Sequence, residues 1–146
     1  MLTEQVKTVI KSTAPLLREH GDAIAVRTYD ILFEKYPQTK LLFSKAPKNQ
    51  AHKLATVIID YCENIDNLPV LSEKLDTVAL RHVKMDVHPG HYTMMGHALM
   101  QGIKEVLQNE ATDEIMIAWK TAYYYLADQL IERERALSTR KTAAQV

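Results

Sequence analysis

Four polar side chains stand on stripes that are otherwise apolar, and each could do chemistry there. A buried polar group costs free energy unless a partner satisfies it. His82 continues the line Leu71, Leu75, Val78 and Ala79 at three- and four-residue steps. An imidazole so placed can ligate a metal through one ring nitrogen while the other donates a hydrogen bond. It can equally be a core histidine bonded to a backbone carbonyl. Tyr92 shares a face with Met95, Gly96, Leu99 and Ile103, and its hydroxyl needs a partner unless its tip reaches water. Glu134 lies near Ala127, Leu130, Ile131 and Leu137. Carboxylates are rarely buried unless paired, so it either finds a partner or reaches solvent at the stripe's edge. There Arg133 and Arg135 could form an exposed ion pair of little energetic weight. Tyr29 has Ala25, Val26, Leu32 and Phe33 as its helical neighbours. A backbone carbonyl or a ligand could take its hydroxyl.

The remaining histidines carry weaker signals. His88, His91 and His97 are close in sequence, but Pro89 and Gly90 interrupt the spacing and no cysteine pair supports a zinc site. His20 reads as a solvated helix-end residue beside Gly21. No Gly-rich phosphate loop, Gly-x-Ser-x-Gly elbow or Cys-x-x-Cys is present. Tyr123, Tyr124 and Tyr125 with Trp119 read as core and helix contacts rather than a platform for bases, with part of the cluster facing inward.

Composition bounds the function further. The 146 residues suit one domain, 1–146, large enough to bury a core and a pocket. Eighteen positive residues balance eighteen negative ones, so nothing favours nucleic acid. The single cysteine, Cys62, excludes an internal disulfide and suits a reducing compartment. The N-terminus lacks the pattern of a signal peptide, and no apolar run approaches a membrane span. A soluble, cytoplasmic protein is expected.

Helices must position these groups. Apolar residues recur at three- and four-residue spacing nearly throughout, with no period-2 strand. The spacing predicts a helix from about Thr3 to before Gly21, kinked at Pro15, and a second from Asp22 to about Tyr36. A short helix from Pro37 to Phe43 follows, then a polar loop from Ser44 to Asn49. Further helices are expected over Gln50 to Glu63, from Leu68-Pro69 to about Met85, after the breaker Asp86-Val-His-Pro-Gly90 to about Gln108, and from Thr112 to at least Leu137. Residues Ser138 to Val146 are expected to fray. Seven or eight helices of unequal length point to layered packing around a pocket rather than a simple bundle.

Several segments together resemble one family. Tyr29-Asp-Ile-Leu-Phe-Glu-Lys-Tyr-Pro37 and Leu41-Leu-Phe43 look like the second and third helices of bacterial globins. Asn64-Ile-Asp-Asn-Leu-Pro69, Arg81-His82, His91-Tyr92, Ala111-Thr-Asp113 and Ala118-Trp119 with Ala122-Tyr123 also match, in order, nearly to the end of the chain. The sequence is similar to single-domain bacterial haemoglobins and to the globin domain of flavohaemoglobins. The resemblance implies an all-α globin fold around haem b, with His82 as the proximal iron ligand. Tyr92 and Glu134 then match a proximal network that bonds the His82 ring N–H and makes the imidazole a stronger donor. Tyr29 matches the ligand-facing tyrosine, and Phe43 the aromatic against the haem plane. Gln50 and Leu54 align with the distal glutamine and leucine. Met95, on the face of Tyr92, completes the cofactor contacts, and Arg81 sits where relatives often carry lysine, a candidate propionate partner.

The sequence also departs from the family. The loop after Phe43 is about three residues shorter than in the family, so a frame shifted by two would put His52, not Gln50, in the distal position. Ser138 replaces a tyrosine often seen after the last helix. No flavin or nicotinamide motif follows the globin-like segment. The resemblance therefore implies reversible O₂ binding, storage or delivery, with NO and CO as further ligands. The alternative is nitric oxide dioxygenation, giving nitrate, with a separate NAD(P)H-dependent reductase as partner. A cofactor-free helical interaction module is the alternative outside the family.

Overall fold

Thr3 opens the first helix by accepting a hydrogen bond from the Val6 N–H on its hydroxyl, at 3.2 Å, which satisfies one of the free amides of a helix start. In the computed structural model, residues 2–145 are described, with side chains for 2–139. The helices are α1 (Glu4–Lys35), α2 (Gln50–Glu63), α3 (Ser72–Lys84), α4 (Pro89–Leu107) and α5 (Asp113–Gln145), joined by 3-10 turns at Pro37–Phe43, Leu68–Leu71 and Gln108–Glu110. Among the described residues there is no strand. Thr112 caps α5 as expected, accepting from the Ile115 N–H at 3.3 Å.

One boundary differs from the expectation. The break at Gly21 and the new cap at Asp22 do not occur, and α1 runs unbroken through both and through Pro15. A glycine inside a helix costs about 1 kcal/mol relative to alanine. A β-carbon on Gly21 would stand 3.4 Å from Ile59 and 3.6 Å from Ala55, ordinary contact distances, so residue 21 faces α2 without needing to lack a side chain. Packing of the whole α1 face on α2 outweighs this local propensity cost, and Asp22 pairs with His52 instead of capping. The expected frayed tail falls mostly on 140–146, whose side chains lie outside the described residues; the helical backbone continues to Gln145.

The layers follow from these faces. α1 packs mainly on α2 and α4, and α5 on α3 and α1. Ile10, Leu17 and Ile24 of α1 meet Cys62, Leu99, Ile103 and Trp119 in one buried cluster. Cys62 donates its S–H to the Ile10 carbonyl at 3.0 Å, and burial pushes its thiol up to about 11, so it is a core group rather than a nucleophile. A smaller cluster of Ile31, Leu32 and Ala98 gathers Tyr29, Phe33, Phe43 and Met95 around it.

The end of α3 fixes His82. The Asp86 N–H bonds to the Val83 carbonyl at 3.2 Å, and the Val87 N–H to the His82 carbonyl at 3.0 Å. These two bonds form a Schellman cap, with Asp86 in the left-handed position at φ 61°. The chain then turns into α4 through His88, whose N–H donates to Nδ1 of His91 at 2.9 Å.

Candidate functional site

His82, Tyr92 and Glu134 come from α3, α4 and α5 and meet in one hydrogen-bonded chain. Nδ1 of His82 lies 2.7 Å from the Tyr92 hydroxyl, and that hydroxyl donates to Oε2 of Glu134 at 2.6 Å. A phenol has one proton to give. Since it goes to Glu134, the hydroxyl accepts from His82, and Nδ1 carries the ring proton. Nε2 is then the basic nitrogen. Oε1 of Glu134 lies 3.7 Å from Nδ1, too far for a hydrogen bond.

Burial sets the electrostatics of this chain. Tyr92 and Glu134 are each 8% exposed. Burial first, and then the hydrogen bond to Glu134, raise Tyr92 well above the ordinary phenol range, so it remains a neutral relay. Glu134 makes no pair with its flanking arginines in the way an exposed stripe edge would. Arg133 turns to Asp76 on α3, at 2.9 Å.

A further residue braces the chain. Tyr123 of α5 donates its hydroxyl to the Tyr92 carbonyl at 2.7 Å, which locks the first turn of α4 to α5. Sequence reasoning placed Tyr123 only as part of a core cluster. Its polar partner is a backbone atom, which leaves no mark in side-chain spacing.

On the other elements, Gln50 and Tyr29 come together. The Gln50 amide donates to the Tyr29 hydroxyl at 3.2 Å, so the phenol keeps its own proton to offer elsewhere. Burial raises Tyr29 above its usual range, with the Gln50 bond opposing. Phe43 packs edge-on to Tyr29, with ring centres 5.2 Å apart. His52 instead points to solvent, with Nδ1 2.9 Å from Asp22. Met95 packs in the same cluster as Tyr29 and Phe43. Arg81 is exposed on α3. His88 and His91 form the cap of α4, and His97 lies 3.1 Å from the Tyr36 hydroxyl.

The donor set fits an iron porphyrin. His82 presents an unprotonated Nε2 under firm hydrogen-bond control, as an axial ligand requires. Tyr29, Phe43, Leu54, Val78 and Met95 lie on apolar faces yet are only half-buried, which leaves apolar surface for a flat apolar group to cover. Among the described residues no helix is long and apolar enough to cross a membrane.

Comparison with known proteins agrees with the geometry. The profile of the Globin family matches residues 26–130. An uncharacterized globin-like protein from Aquifex aeolicus is 46% identical over 137 residues, covering 94% of this chain and 97% of the relative. The flavohemoprotein of Bordetella pertussis is 39% identical over 140 residues, covering 94% of this chain but 35% of its own length. The chain thus spans about a third of the flavohemoproteins it matches. Among solved structures, an engineered carbene transferase, itself a candidate nitric oxide dioxygenase from Rhodothermus marinus, superimposes with a TM-score of 0.93 at 34% identity, covering 97% of this chain and 99% of that one.

Proposed function

The chain belongs to the globin family, and we propose that it holds haem b through Nε2 of His82 and binds O₂ reversibly in the cytoplasm. One observation supports this above the rest: the hydrogen-bond chain from His82 through Tyr92 to Glu134 runs one way and leaves Nε2 basic. Haem, once bound, supplies a ferrous iron that takes O₂, NO or CO. The protein's own residues divide the remaining work. Tyr92 and Glu134 draw on the Nδ1 proton and make the imidazole a stronger electron donor. Phe43, Leu54 and Met95 provide apolar contact and exclude water. Tyr29, with its proton left free by Gln50, offers a hydrogen bond to a ligand carrying partial negative charge. Arg81 offers a guanidinium to a carboxylate at the rim.

The strength of the His82 donor favours a second reading, nitric oxide dioxygenation. Its balance is NO plus O₂ plus one electron giving nitrate, so each turnover needs an electron. A separate NAD(P)H-dependent reductase is the partner this reading includes.

Absorption spectra of the ferrous, ferric and CO forms test the first reading. A Soret band is expected, and its absence after haem is supplied would overturn the assignment. His82→Ala should lose the axial bond, and unaltered ferrous spectra would reject His82. Nitrate yield after NO is added to the oxygenated protein, with and without a reductase, separates the two readings. Slow, uncoupled turnover with a matched reductase would count against dioxygenation.

A further inference from the structure

A cleft of about 210 Å³ opens between the turn into α4 and the later part of α5. Val87, Pro89 and Ile131 give it apolar walls, and exposed His88 and Arg135 stand at its edge. Glu134, the buried carboxylate of the His82 chain, also lines it. The two oxygens of Glu134 are not equally served. Oε2 accepts from Tyr92 at 2.6 Å. Oε1 lies 3.7 Å from Nδ1 of His82, and among the described residues no group donates a hydrogen bond to it. No fully buried side-chain oxygen lacks a partner among those residues. Oε1 is therefore in contact with open space, and the cleft is the open space that Glu134 lines. A carboxylate can accept about four hydrogen bonds, so this oxygen keeps acceptor capacity toward the cleft.

We propose that this cleft binds a compact, uncharged ring carrying one O–H or N–H donor, such as a phenol, and that its occupant weakens electron donation by His82; the second part rests on the haem reading. Charge selects the class. An anion is opposed by the Glu134 carboxylate, and a cation by the Arg135 guanidinium at the edge. An uncharged donor gains a charge-assisted bond to Oε1 without either conflict. Size sets the body of the molecule. A dry cavity of about 150 Å³ is enough to take benzene, and sites for drug-sized ligands start at about 300 Å³. A cleft of about 210 Å³ thus suits one ring with one polar group. Val87, Pro89 and Ile131 supply the ring's apolar contacts. The effect on His82 follows because the carboxylate is shared. A donor on Oε1 draws on the same charge that Oε2 offers Tyr92. Hydrogen bonds in a chain polarise one another, so the Tyr92 hydroxyl becomes a poorer acceptor for the Nδ1 proton. The imidazole is then a weaker donor through Nε2.

Phenol is the probe, and the unaltered protein is its target, so no variant has to fold. Added to the CO-bound holoprotein, where the distal coordination position is filled, phenol should shift the methyl NMR signals of Val87 and Ile131. A dissociation constant of about 1 mM is expected, within the bound on affinity per atom for so small a ligand. Toluene has the same ring without the donor and should bind about tenfold more weakly. In the ferrous protein without CO, bound phenol should move the iron–histidine stretch to lower frequency, and toluene should leave it in place. No shift at Val87 or Ile131 in a protein with a normal Soret band would overturn the site alone. Equal affinity for phenol and toluene would overturn the bond to Oε1. A stretch unmoved by bound phenol would overturn the link to His82. A protein without a Soret band would overturn the haem reading, while the NMR titration, which needs no iron, would still decide the cleft.

Discussion

Tyr123 lies across Gly96 so closely that a β-carbon on the glycine would stand 2.8 Å from its ring and 2.9 Å from the Tyr124 hydroxyl. Real side chains do not meet at such distances, so α4 approaches α5 here only because residue 96 has none. The same ring carries the hydroxyl that holds the Tyr92 carbonyl. Gly96→Ala should therefore push Tyr123 off its bond as well as overpack the interface. Overpacking of this kind costs about 1–3 kcal/mol. Urea unfolding of the holoprotein should show the loss as a lower midpoint at unchanged slope.

Tyr92→Phe removes the hydroxyl between His82 and Glu134 and leaves the rings in place. Nδ1 then has no acceptor within hydrogen-bond reach, since Oε1 of Glu134 lies 3.7 Å away. The imidazole becomes a weaker donor, and the iron–histidine stretch of the ferrous protein should move to lower frequency in resonance Raman spectra. The buried carboxylate also loses its donor, at a cost of about 1–3 kcal/mol in stability. An unmoved stretch would show that the chain does not control the ligand.

Tyr29→Phe should speed O₂ dissociation about tenfold, the equivalent of one hydrogen bond of about 1.4 kcal/mol. His52→Ala should leave the off-rate where it is, because its imidazole is turned to Asp22. Stopped-flow displacement of O₂ by CO measures both. A larger effect at His52 than at Tyr29 would reverse the assignment of the ligand-facing side.

Alkaline stability follows from the buried phenols. Burial raises Tyr29, Tyr61, Tyr92 and Tyr123 above the unfolded value. Above about pH 10 the unfolded chain releases these protons and the folded one keeps them, so stability falls as pH rises. Below that point their contribution is fully present. Each such phenol lowers stability by about 1.4 kcal/mol per pH unit while only the unfolded form ionises. Urea midpoints should be steady near neutrality and drop between about pH 10 and 11.

Much of this was legible in the order of residues, for identifiable reasons. α2 runs over Gln50–Glu63 as its apolar period implies, and the Asp86–Gly90 breaker does separate α3 from α4. His82, Tyr92 and Glu134 were visible because each places a polar atom on an apolar face, where something must satisfy it. The unbroken passage of α1 through Gly21 was not visible, because it rests on the packing of α1 against α2, which local propensity does not report. Tyr123 was missed because its partner is a carbonyl that every residue possesses. In sequence, Gln50 was preferred to His52 only on the alignment of Leu54. Their difference lies in which way a helix two residues out of phase faces, and the packing of α2 on α1 decides that.

The continuity of α1 has a mechanical consequence. Near its start, Thr13 receives the indole N–H of Trp119 at 2.9 Å, and sixteen residues later the same helix carries Tyr29. At 1.5 Å per residue the two points are about 24 Å apart on a single rod. A hinge at Gly21 would have let the two ends move separately. Without one, a single helix joins the point where α5 holds Thr13 to the turn that carries Tyr29, and α5 is also the helix that bears Glu134. The two sides of the site are thereby tied to one another through one pair of helices.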